Sequence, residues 1–100
     1  MANLLRMTDI SGVIILMKRY SLDKLLKYGW LCLYELETQD DLSLESMLSL
    51  LNQAADYIAA IQTRKRLNSG QKDRLTNLIS WYQRYDIAQL KRDILKNSRA

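Results

Sequence analysis

The chain has 100 residues, 15 Lys and Arg against 11 Asp and Glu, no histidine, no proline and one cysteine. That inventory excludes an internal disulfide, a Ser-His-Asp triad, a Cys-His dyad and a structural zinc site, which would have one thiolate and no imidazole. It is the size of one domain, residues 1–100, and a chain this long can bury roughly 65% of its unfolded surface. Leu, Lys, Arg, Gln, Glu, Met and Ala favour helix, and proline, the strongest helix breaker, is absent. Short Val/Thr/Tyr runs between Gly-rich turns are lacking, so a sheet is not expected. The expected class is all-α, a compact bundle of four to five amphipathic helices.

The first expected helix runs from about Thr8 to Tyr20, capped by Thr8 or Asp9. Ile10, Val13, Ile14, Met17 and Tyr20 follow helical spacing. The β-branched run Val13-Ile14-Ile15 argues against it and leaves a short buried strand as the alternative. The apolar run Gly12–Met17 is far shorter than the ~20 residues of a membrane span and lacks a small-residue cleavage site. A peripheral membrane contact through this basic, apolar part is the one membrane reading left open.

Ser21 is placed to cap a second helix, with Asp23 in its first turn. Leu22, Leu25, Leu26, Trp30, Leu33 and Leu36 fall on one broad face. Leu31 and Tyr34 widen it, which would bury this helix on more than one side. Gly29 costs roughly 1 kcal/mol against Ala inside a helix. Either a close helix neighbour or a kink would account for it. Cys32 reads as a small buried hydrophobe, and a lone thiol fits a reduced, cytoplasmic setting.

Thr38-Gln39-Asp40-Asp41 reads as a connection, and Asp41 or Ser43 caps the third helix with Glu45 in its first turn. Leu44, Met47, Leu48, Leu51, Ala54, Ala55, Ile58 and Ile61 form the cleanest helical stripe of the chain, which should run to about Lys65. Asn68-Ser69-Gly70 is the strongest turn signal. Gly70 is expected to end one helix in a left-handed conformation, and Asn68 or Ser69 to cap the next. Leu75, Leu78, Ile79 and Tyr82 then share a face. Asp86 and Gln89 have capping-box spacing before Ile87, Leu90 and Ile94, so residues 70–97 are either one helix with a shifted stripe or two.

Glu35 and Glu37 point to different sides of a helix, and Asp40-Asp41 sits in a polar connection without calcium-loop spacing. The glycines are scattered and form no phosphate loop. The chain therefore reads as non-catalytic, with no metal and no cofactor.

Charge is what the sequence sorts most clearly. The balance is +2 over residues 1–20, −5 over 21–62 and +7 over 63–100. The acids of the middle largely suit caps and connections. The cations of the last third define the candidate binding residues: Arg64, Lys65, Arg66, Lys72, Arg74, Arg84, Lys91 and Arg92. Arg64, Lys65 and Arg66 suit a helix C-terminus, whereas Lys72 and Arg74 at a helix start oppose the dipole. Arg84 is ten residues from Arg74 and seven from Lys91, offsets that keep all three near one side of a continuous helix.

The stretch from Leu51-Asn52 through Tyr57-Ile58 to Gln71, Leu75 and Leu78 resembles small helical bacteriocin-immunity proteins, over under a third of the chain and without a diagnostic motif. Two functions follow from the residues. The first is a small protein-interaction module (adaptor, inhibitor or immunity-type) that docks a helical surface and its basic last third on an acidic protein partner. The same charge asymmetry permits a homo-oligomer, the acidic middle of one copy facing the basic end of another. The alternative is a nucleic-acid-binding protein whose cations hold phosphates while Trp81, Tyr82 or Tyr85 stack on bases.

Overall fold

The computed structural model describes residues 19–99. The first expected helix lies outside the described residues except for Arg19 and Tyr20, which form a turn. All regular structure among the described residues is helical: α1 (Leu22–Thr38), α2 (Leu44–Gln62), α3 (Ser69–Tyr82) and α4 (Ile87–Arg99). None of these helices is long and apolar enough to cross a membrane.

Each helix start is written locally. Ser21 caps α1, its Oγ accepting from the Lys24 amide at 3.2 Å. Ser43, not Asp41, caps α2, accepting from the Ser46 amide at 3.1 Å. Asn68 caps α3 through a reciprocal box: its Oδ1 accepts from the Gln71 amide (2.7 Å), and Gln71 Oε1 accepts from the Asn68 amide (3.0 Å). This box puts Gly70 inside the first turn of α3, and no glycine among the described residues has a positive φ. The expected left-handed Gly70 is thus corrected. A cap that satisfies the first orphan amides starts the helix before the glycine is reached.

Helix α2 also stops earlier than expected, at Gln62. Thr63 Oγ1 donates to the Ala60 carbonyl at 2.6 Å, and the Arg64 amide closes a short turn on Ile61 O at 3.0 Å. That tightened last turn consumes the carbonyls a further helical turn would need. Residues 70–97 resolve into two helices. The Arg84 and Tyr85 amides turn back on Trp81 O and Tyr82 O, and Asp86 Oδ1 takes the Gln89 amide at 2.9 Å. Only this half of the expected Asp86–Gln89 box is formed, because the Gln89 side chain bonds Asp93 and Arg92 instead.

Helices α1 and α2 form an antiparallel hairpin with the most extensive helix–helix interface of the described residues. Leu25, Leu33, Leu51 and Ile61 are its largest fully enclosed side chains. Burying each of these contributes about 1.5–3 kcal/mol. Helix α3 packs across both α1 and α2, and α4 packs on α2. No polar or charged side chain is buried among the described residues.

Gly29 marks a close approach of α1 and α3. A Cβ placed there would lie 2.9 Å from Leu78 Cδ2 and 3.5 Å from Tyr57 Cβ. Close packing, not a kink, explains the glycine. Trp30, Leu31 and Tyr34 correct the expectation of a helix buried on several sides: they are 47%, 39% and 47% exposed. The hairpin and α3 together cover only one broad face of α1, so the flanking positions stay at the surface.

Candidate functional site: a groove between two parallel helices and a basic turn

Helices α1 and α3 run side by side in the same direction, and acids from α1 tie down both ends of α3. At the N-terminal end, Asp23 Oδ1 accepts from Gln71 Nε2 (3.2 Å) and forms an ion pair with Arg74 Nη1 (3.3 Å). At the other end, Glu37 Oε1 accepts from Trp81 Nε1 (2.6 Å) and from the Tyr85 hydroxyl (3.0 Å). The sequence assigns Glu37 no role. Its partners lie 44 and 48 residues away, which no local spacing signals.

Between these two ties lies a groove of about 690 Å³. Leu26 and Leu78, both almost fully buried, floor it. Trp30 and Trp81 wall it, their rings meeting edge to face at 5.9 Å. Lys27, Arg74 and Asn77 stand at its rim with Asp23. Trp30 also stacks on Tyr34, with centroids 4.8 Å apart and planes 14° apart. Offset aromatic pairs of this kind hold rings in place beyond what burial alone provides. Trp30 is thereby fixed although half exposed.

On the adjoining side of α1, Tyr28 bridges Tyr20 and Tyr57, at 6.2 and 5.8 Å between centroids. The Lys24 ammonium sits 4.6 Å above the Tyr20 ring. An aromatic face and a cation strengthen one another in this arrangement.

The predicted cations separate into four places. Arg64, Lys65 and Arg66 lie in the α2–α3 connection, past the end of α2 and not in its last turn. Arg64 is half-buried, its Nη2 donating to Tyr20 O at 2.7 Å, while Lys65 and Arg66 are exposed. Lys72 and Arg74 follow in α3. The dipole mismatch at Arg74 has a tertiary answer, because Asp23 of the neighbouring helix supplies the carboxylate that the first turn of α3 lacks. Arg84 lies in the α3–α4 connection, and Lys91 and Arg92 are on α4. The expected alignment of Arg74, Arg84 and Lys91 on one helix side is therefore corrected, since their offsets hold only on an unbroken helix.

Cys32 is buried, and burial, reinforced by the nearby Glu35 charge, pushes its thiol up to about 11. A thiol so protonated is a poor nucleophile at neutral pH. Burial also raises Tyr57 and Tyr85, the latter further because its hydroxyl donates to Glu37. Among the described residues no three Cys, Asp or Glu side chains gather where they could hold a metal ion. Lys27, Trp30 and Asn77 were not singled out from sequence as binding residues. For Trp30 the available signal was its place at the edge of the apolar stripe, one residue past Gly29.

No family model matches the chain, and neither a curated protein nor a solved structure does. The resemblance to bacteriocin-immunity proteins gains nothing from relatives, and the functional weight rests on the geometry.

Proposed function

We propose that the chain is a small non-catalytic protein-interaction module, an adaptor, inhibitor or immunity-type protein of the cytoplasm. In this reading it folds as a compact bundle of four to five helices and docks a helical surface on an acidic protein partner. One observation carries the reading. Lys65, Arg66 and Lys72 stand exposed around the α2–α3 connection, which is braced by the Thr63 turn on one side and the Asn68–Gln71 box on the other. Cations held on a braced backbone lose less freedom when they meet a partner than the same cations on a loose tail. They chiefly raise the association rate and select against basic partners.

The nucleic-acid alternative uses the basic patch of residues 64–74 and 84–99, with Arg74, Arg84 and Lys91 in a row along one helix. The break between α3 and α4 divides that row, which favours the protein partner. A homo-oligomer is the remaining form of the same reading, with Asp40 and Asp41 of one copy facing the basic connection of the next.

Affinity capture from an extract of the native cell tests the proposal, run with and without nuclease and with a Lys65→Gln, Arg66→Gln, Lys72→Gln triple variant. A partner retained after nuclease, weakened by salt and lost in the triple variant is the expected result. Retention abolished by nuclease would assign the basic residues to nucleic acid instead. No retained macromolecule at all, from a chain that is strictly monomeric, would end the interaction reading.

A further inference from the structure

We propose that the α1–α3 groove is a receptor site for a short, extended, acidic segment of a protein partner. Its carboxylate would be read by Arg74 and Lys27, and an aromatic anchor three residues further on would pack on the Leu26–Leu78 floor against Trp30 and Trp81. This deepens the interaction reading above and rests on it.

The argument begins with the shape. The floor is apolar, from Leu26 and Leu78, and the wall is two indole rings, one of them half exposed in the free protein. Pockets that take an anchor side chain combine an apolar base with aromatic walls and few polar groups at the rim. The polar rim residues here are Asp23, Lys27, Arg74 and Asn77, a net charge of +1. An acidic occupant is the complementary one.

Arg74 is held in reserve for that occupant. Its contact to Asp23 is a single 3.3 Å approach between side chains that are 50% and 70% exposed. A solvated pair of this kind is weak and exchanges readily. Asp23 does not become an orphan when Arg74 leaves, because Gln71 Nε2 still donates to it. An incoming carboxylate can therefore take Arg74 without stranding a charge.

The spacing sets the register. Arg74 and Trp81 are seven residues apart on one helix, a rise of about 10 Å. Three residues of extended chain span the same ~10 Å. A carboxylate at one position and an aromatic ring three residues on therefore match the two ends of the groove.

Both tryptophans of the chain line this groove, so intrinsic fluorescence reports on it directly. The probe is the peptide acetyl-Glu-Asp-Ala-Ala-Phe-amide, titrated into the full chain. The expected result is a saturable blue shift of tryptophan emission. A Gln-Asn-Ala-Ala-Phe peptide and a Glu-Asp-Ala-Ala-Ser peptide should each bind at least about fivefold more weakly.

Arg74→Gln and Lys27→Gln should each weaken the acidic peptide about fivefold, with helical circular dichroism unchanged. Asp23→Asn separates ligand reading from mere structural support. It removes the internal competitor for Arg74 and keeps an acceptor for Gln71, so it should tighten the peptide about threefold. A purely structural Asp23 would leave binding unchanged or weaker, and that outcome would overturn the proposal. So would a peptide that causes no emission change, or a charge-free control that binds as well as the acidic one. Partner capture undiminished in a Lys27→Gln, Arg74→Gln double variant would remove the groove and leave the interaction reading standing. Failure to capture any protein would remove the interaction reading itself.

Discussion

The α1–α2 hairpin and the α3–α4 half hold together by different means. Among the described residues, eleven of the thirteen buried apolar side chains belong to the hairpin, whereas α3 and α4 contribute one each, Leu78 and Leu90. The second half is attached by half-buried apolar side chains packed on that core, among them Leu75, Ile79, Tyr82, Ile87 and Ile94, and α3 is tied further at its rim through Asp23 to Gln71 and Arg74 and through Glu37 to Trp81 and Tyr85. Apolar burial dominates folding free energy, and exposed polar links contribute little each. With fewer fully buried side chains, α3 and α4 are expected to open at lower free energy than the hairpin. The difference bears on function, because the groove and the basic connection both lie where the more deeply buried half meets the less buried one.

The largest expected effect lies in the hairpin. Leu33→Ala, at a side chain with no exposed surface, should cost about 2–5 kcal/mol in denaturant unfolding. Leu95→Ala, at a side chain 58% exposed on α4, should stay within about 0.5 kcal/mol. Equal costs would break the contrast between the halves. Native-state hydrogen exchange sharpens it further: amides of α1 and α2 should be protected to the global free energy, and those of α4 to less.

Next in size is the joint between the halves. Leu78→Ala should cost about 2–3 kcal/mol. Gly29→Ala has opposing terms, a helix-propensity gain of about 1 kcal/mol against crowding of Leu78. In the Leu78→Ala background the crowding is gone, so Gly29→Ala should there stabilise by about 1 kcal/mol. A double-mutant cycle measures the coupling. An additive pair would mean that α3 does not lean on Gly29 in solution.

Alkaline pH reads the hairpin from inside. The Cys32 thiol ionises near 9.0 when unfolded and at about 11 in the fold. The folded state therefore holds its proton more tightly. This contribution is complete below pH 9 and is lost as pH rises from 9 through about 11. Unfolding free energy should fall across that window, and Cys32→Ala should flatten the fall. Tyr57 and Tyr85, also raised, act with the same sign at higher pH.

The smaller effects lie at the rim. Glu37→Ala should cost about 1 kcal/mol, since it removes the acceptor shared by Trp81 and Tyr85, and it should speed hydrogen exchange in α3 more than in α2. Lys65→Gln with Arg66→Gln should leave stability within about 0.5 kcal/mol. The same pair should slow association with an acidic partner and reduce its salt dependence. A large stability loss there would recast the basic connection as structural.

Helix class, the cap at Ser21 and, to within two candidates each, the caps at Ser43 and Asn68 are legible because each is a contest among neighbours a few residues apart. The same locality explains two misreadings. Arg64, Lys65 and Arg66 looked like a helix end because cations suit one, but Thr63 closed α2 first. Gly70 looked like a left-handed stop, but the Asn68–Gln71 box had already begun the next helix. Of the groove, the sequence names as binding residues only Arg74, for its charge, and Trp81, as a stacking ring of the nucleic-acid alternative.

The sequence by itself determined that the chain is helical, that its charges are sorted, and that histidine chemistry is closed to it. These follow from composition and from spacings of three and four residues. Only the tertiary structure decided that Arg74 answers Asp23, that Glu37 gathers Trp81 and Tyr85, and that Trp30 faces solvent beside a groove. Those outcomes depend on which helix lies next to which, at what height and in what direction. Many arrangements of the same amphipathic faces bury nearly equal apolar area, and the choice among them is made by close contacts such as Gly29 against Leu78.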